Sequence, residues 1–113
     1  MSMKIATRQL DGITVLDLGG RITLGEGSVQ LREAVRDLLA KGQKKIVLNL
    51  GDVSYMDSSG MGELVTAYTS AKNQGGELKL VNLTKKIEDL MQITKLATVF
   101  DIYDDEAKAI ASF

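Results

Sequence analysis

The residues of this chain best placed to do chemistry form one short run, Asp57-Ser58-Ser59-Gly60, within the stretch VSYMDSSGMGE. An acid, two hydroxyls and a glycine follow an apolar segment here, where a strand is expected to end and a helix to begin. Two chemistries suit them. Asp57 or Ser58 can cap the helix, because its first N–H groups lack intrahelical partners. Alternatively, a hydroxyl can carry a phosphate, since the amino end of a helix favours an anion. Capping needs one polar residue, and this run has several in a row. Ser59, Gly60 and Gly62 are small, which predicts a helix end open to another molecule's backbone. A phosphate on Ser59 would add about −1.5 to −2 charges and three acceptor oxygens. Asp57 would repel that phosphate while the helix end attracts it. Beside an unmodified serine, Asp57 can orient the hydroxyl or accept a bond from a partner.

Composition removes most competing chemistries. The chain has 113 residues, 44% hydrophobic and 26% charged, which fits one compact domain over residues 1–113. Net charge is −1 and no basic run exceeds a pair, so no nucleic-acid surface is expected. Cysteine and histidine are both absent. That excludes disulfide and thiolate chemistry, the usual metal ligand, and the usual base for a serine nucleophile. No catalytic residue is therefore assigned, and the chain is not expected to be an enzyme. Gly60-Met61-Gly62 lacks the third glycine of a dinucleotide loop, since position 65 is Val65, and no Gly-Lys pair offers a Walker lysine. No cofactor is expected. Asp101, Asp104, Asp105 and Glu106 lack the spacing of a calcium loop and are expected to serve the positive end of a terminal helix; no metal site is assigned. No stretch has the roughly 18 apolar residues of a membrane span or the look of a signal peptide. A cytoplasmic protein without membrane contact is expected.

The elements that must position the run follow from periodicity. MKIATRQL and ITVLDLGG read as strands joined by Asp11-Gly12, a pair suited to a type I′ hairpin turn. TLGEGSVQLREAVRDLLAKG changes to helical spacing at Leu31, Ala34, Val35 and Leu38. Thr23 and Glu26 are expected to form its capping box, with Lys41 and Gly42 its stop. KKIVLNL reads as a strand covered on both faces, near the middle of a sheet. Met61, Leu64, Val65 and Tyr68 repeat the helical stripe until Gly75-Gly76. ELKLVNL predicts another strand, TKKIEDLMQIT a short helix with Ile87, Leu90 and Met91 inward, TVFDIY a short edge strand, and DDEAKAIASF a last helix. The order β-β-α-β-α-β-α-β-α implies an α/β fold: a mixed sheet of four or five strands with an antiparallel opening hairpin, parallel crossovers and about four packed helices. Met56, Met61 and Met91 fit a core at this spacing, with Met61 kept as a possible rim residue of a binding surface.

The stretch VLNLGDVSYMDSSGMGELV resembles the signature of the STAS domain family, close to anti-sigma factor antagonists of the sporulation and stress-response type. The likeness runs from about Ile5 to Ala111, and Gly75-Gly76-Glu77-Leu78 resembles the family's entry into its next strand. It implies a cycle. The unphosphorylated antagonist binds an anti-sigma factor serine kinase and frees a sigma factor, ATP-dependent phosphorylation of the second motif serine, here Ser59, breaks the complex, and a phosphatase restores it. Asp57, Ser58, Gly60 and Met61 would then shape the partner site, with Gly60 letting the kinase backbone approach. After the second strand such antagonists often read Gly-Glu-Leu-Asp, whereas this chain reads Gly20-Arg21-Ile22-Thr23 with a loop one residue longer. Arg21 and Thr23 are thus candidate partner contacts that differ from the family's acids. They also leave room for a second reading, a non-switching STAS scaffold in a stressosome-like or lipid-transport assembly. A switch is expected to be a monomer or weak dimer, and a scaffold a large homo-oligomer.

Overall fold

The computed structural model describes residues 3–113. Strands β1 (Lys4–Leu10) and β2 (Ile13–Ile22) form the antiparallel hairpin. Its turn takes φ 51° at Asp11 and 80° at Gly12, the pair of positive values that a type I′ connection requires. Then come α1 (Glu26–Ala40), β3 (Lys45–Met56), α2 (Ser58–Asn73), β4 (Glu77–Val81), α3 (Lys85–Ile93), β5 (Asp101–Tyr103) and α4 (Glu106–Ala111). Spatial order in the sheet is β1-β2-β3-β4-β5, with every pair after the hairpin parallel. Strands that step one place at a time through crossovers of one hand put α1, α2 and α3 on the same face. The packing agrees. Leu31, Val35 and Leu38 of α1, Leu64 and Ala67 of α2, and Ile87 and Met91 of α3 share one core with Leu16, Leu48 and Leu80 of the sheet. α4 covers the other face, where Ala109 meets Val15, Val47 and Val81. β3 is central, as its unbroken apolar run implies: Ile46, Leu48 and Leu50 face the larger core and Val47 the smaller.

Three expectations change. The capping box of Thr23 and Glu26 does not form: α1 begins at Glu26 with Gly25 as its N-cap and no side-chain cap. Thr23 instead offers its carbonyl to Ser28, which donates from N at 3.1 Å and from Oγ at 2.9 Å. β3 runs twelve residues, through Val53-Ser54-Tyr55 to Met56, although β4 pairs only with Lys45–Asn49. Its outer half is carried by β2 alone, with two register shifts, so that Asp17 pairs with Asn49 but Arg21 with Tyr55. β5 is only three residues long, because Phe100 turns into the core and meets Tyr68 edge-on at 5.6 Å.

Candidate functional site

The run 57–60 lies where β2, β3 and α2 converge. β3 ends at Met56, Asp57 is extended (φ −100°, ψ −174°), and α2 starts at Ser58. Asp57 is the N-cap: its Oδ1 accepts from Gly60 N at 2.9 Å. Its Oδ2 accepts from Leu24 N at 3.0 Å, so one carboxylate closes the first turn of α2 and anchors the β2–α1 loop. α1 starts late because Gly25 stands at φ 97°, ψ −123°, outside the helical region, and helical hydrogen bonding begins with Val29 N to Gly25 O. The Leu24 N–H, then that of Gly60, holds the Asp57 carboxyl below its ordinary range, because both bonds favour the anion. With both oxygens engaged by main chain, Asp57 is a fixed charge that staples the turn, and it does not orient the serine hydroxyls as expected.

Ser58 and Ser59 are the first two residues of α2, exposed and half-buried respectively. Ser59 is therefore reachable from solvent at a helix amino end. Gly60 corrects the expectation of an open approach. It is buried, and a Cβ there would overlap the Ile22 carbonyl oxygen and crowd the Met56 side chain. Glycine is needed because the chain's own second strand passes against it. Gly27 does the same on α1, where a Cβ would lie 2.7 Å from the Arg21 carbonyl oxygen. The open position is Gly62, exposed with nothing near a Cβ. Met61 is also corrected: it is 3% exposed and belongs to the core, since its helical position faces the sheet.

Arg21 is exposed, and its guanidinium stacks 4.9 Å over the ring of Tyr55, its cross-strand partner. Thr23 is half-buried in the anchored loop. The structure thus gathers Asp57, Ser58, Ser59, Arg21 and Thr23 at one end of the β2–β3 pair and withdraws Gly60 and Met61 into the interior. Leu24 joins them unforeseen. Its side chain is 79% exposed while its amide is held by Asp57, an apolar group presented beside the serines. A leucine outside any apolar stripe, between Thr23 and Gly25, was the available signal. The pairing of Arg32 on α1 with Glu63 on α2, at 2.7 Å, had no signal in the sequence. Of the acids near the end of the chain, Asp105 caps α4, its Oδ1 accepting from Lys108 N at 2.8 Å, and Glu106 lies in the first turn, whereas Asp101 belongs to β5. No helix among the described residues is long and apolar enough to cross a membrane.

Comparisons with known proteins place this geometry. The STAS domain model matches residues 4–109. The anti-sigma-B factor antagonist of Bacillus subtilis (strain 168) is 35% identical over 102 residues, covering 90% of this chain and 92% of that one. The crystal structure of a candidate anti-sigma factor antagonist from Thermotoga maritima superposes with a TM-score of 0.88 at 28% identity, covering 96% of this chain and 92% of that one. The phosphorylated form of SpoIIAA, a Bacillus cell fate determinant, shares the fold, with a TM-score of 0.73 at 21% identity over 96% of this chain and 98% of that one. The chain belongs to the STAS domain family, and its relatives there include anti-sigma factor antagonists.

Proposed function

We propose that this protein is a phosphorylation-controlled anti-sigma factor antagonist and not an enzyme. Unmodified, it binds an anti-sigma serine kinase in the cytoplasm through the surface of Ser58, Ser59, Leu24, Arg21 and Thr23, and a sigma factor is released. The kinase transfers the γ-phosphoryl group of ATP to Ser59 Oγ; ADP leaves and the hydroxyl proton goes to solvent. A phosphatase reverses the state by hydrolysis, giving serine and inorganic phosphate. The observation that carries this reading is the placement of Ser59: reachable, second in α2, at a turn locked by Asp57 and beside the exposed Leu24. A dianion there gains from the helix end, while a partner docked on Leu24 meets new charge. Asp57 opposes the phosphate and keeps the two states different at the surface.

The test is incubation with the cognate kinase and ATP, followed by phosphopeptide mapping. Phosphate on Ser59 alone is expected. An unmodified Ser59, under conditions that label a control antagonist, would remove the switch and leave the scaffold reading.

A further inference from the structure

We propose that Arg32 is the internal cation that holds a phosphate on Ser59, reaching it from α1 across the boundary with α2. The inference rests on reading Ser59 as the phosphate acceptor, and it adds which residue receives the group and what surface it then covers.

The placement comes from two helices. Glu63 follows Ser59 by four residues on α2, so their β-carbons lie about 5–6 Å apart on one face. Helical side chains lean toward the amino end, which brings the Glu63 carboxylate back over the turn that Ser59 opens. Arg32 Nε and Nη2 donate to Glu63 Oε2 at 3.0 and 2.7 Å. A guanidinium is thereby held over the second turn of α2, one turn from Ser59.

The pair is built loosely. Both donors converge on a single oxygen, while Glu63 Oε1 is buried with no partner among the described residues. This is not the two-by-two fork of a bidentate pair. An arginine has five N–H donors, so those not spent on Glu63 can serve a second acceptor without releasing the first. A phosphate with three oxygens fits that planar fork. The charged groups around Ser59 favour such a cation: Asp57, which caps α2, and Glu63, within it, are both acidic, and Arg21 is held over Tyr55. Without Arg32 a dianion would face two like charges.

The surface changes as a result. Val29 is exposed and lies three residues before Arg32 on α1, on the same face. Unmodified, this region shows a neutral ion pair beside two exposed apolar side chains, Val29 and Leu24. A phosphate bridged to Arg32 lies against Val29 and makes that facet ionic.

The experiment uses the full chain with phosphoserine installed at position 59 during translation, and follows the second ionisation of the phosphate by phosphorus NMR. Arg32→Gln is expected to raise that pKa by about half a unit or more, since a nearby cation favours the dianion, whereas Glu63→Gln is expected to lower it. Arg36→Gln, one turn further along α1 and also exposed, should leave it unchanged. The proposal is overturned if Arg32→Gln produces no shift, or if Arg36→Gln produces an equal one. Because the phosphate is installed without a kinase, a kinase that ignores Ser59 would sink the proposed function while leaving this result standing.

Discussion

Asp57 and Leu24 are joined by a hydrogen bond, carboxylate to main-chain N–H at 3.0 Å, that ties the start of the second helix to the loop before the first. The same carboxylate caps its own helix through Gly60. Asp57→Ala should therefore destabilise the fold by about 2 kcal/mol, the upper end for a lost cap, because a loop anchor goes with it. Asp57→Asn should cost less. Urea unfolding of both variants measures this; equal midpoints for wild type and Asp57→Ala would show that the staple contributes nothing.

Acid should weaken the same contact. Asp57 and Asp17 both have carboxyls held below the ordinary range, Asp57 by main-chain N–H groups and Asp17 chiefly by Arg8. A depressed folded pKa adds stability above the unfolded value, about 3.9 for aspartate, and that stability is lost as pH falls through the lower folded value. The gap in urea midpoint between wild type and Asp57→Asn should be constant near neutrality and shrink below about pH 4. A gap that does not depend on pH would mean the ionised form is not what stabilises.

Two glycines of α2 should respond in opposite ways. Gly60→Ala places a Cβ against the Ile22 carbonyl and should cost about 3 kcal/mol or more, since neither backbone has room to yield. Gly62→Ala meets open space and should stabilise by about 0.5–1 kcal/mol through helix propensity. Thermal melts of the two variants check the contrast. A well-folded, unperturbed Gly60→Ala protein would contradict the close approach of β2.

Partner binding should depend on Leu24 more than its loop position suggests. Leu24→Ala is expected to weaken kinase affinity about tenfold, or about 1.4 kcal/mol, with little change in stability because the side chain is exposed. Ser59→Asp should weaken binding as well and leave the melting temperature close to wild type. Calorimetric titration with the kinase reads both. A large loss of thermal stability in Ser59→Asp would point to a structural serine.

What was legible in the sequence was what short-range chemistry decides. Asp11-Gly12 needs only its own backbone to make a turn, and the run Ile46–Leu50 needs only its composition to be central. The stripes at Leu31–Leu38 and Met61–Tyr68 placed both helices against the sheet. What stayed hidden depends on neighbours distant along the chain. The Thr23–Glu26 box fails because Gly25, inside it, takes φ 97° and leaves the helical region. Gly60 looked like an open door because nothing near it in sequence reveals Ile22 pressing from β2. Arg32 and Glu63 stand on separate helices, and only the packing of α1 on α2 makes them a pair.

Arg8 shows the same reach on the opposite face. It donates to both oxygens of Asp17, at 2.6 and 2.8 Å, and to Glu106 of α4. Asn49 also donates to Asp17 and accepts from Asn82, so a polar ladder crosses from β1 to the end of β4. Arg8→Ala should leave the Asp17 and Glu106 carboxylates facing each other uncompensated. Its clearest sign should be faster amide exchange in α4 than in α2, because only the smaller core then holds α4. Equal acceleration in both helices would mean that Arg8 supports the whole fold and not α4 alone.

Beyond Asn49 the third strand has a neighbour on one flank only. The turn bearing Ser59 keeps its footing all the same, because Met56 and Met61, on either side of the serines, are both set in the close-packed interior. A docked protein therefore meets a rim anchored from within, although only one strand flanks it.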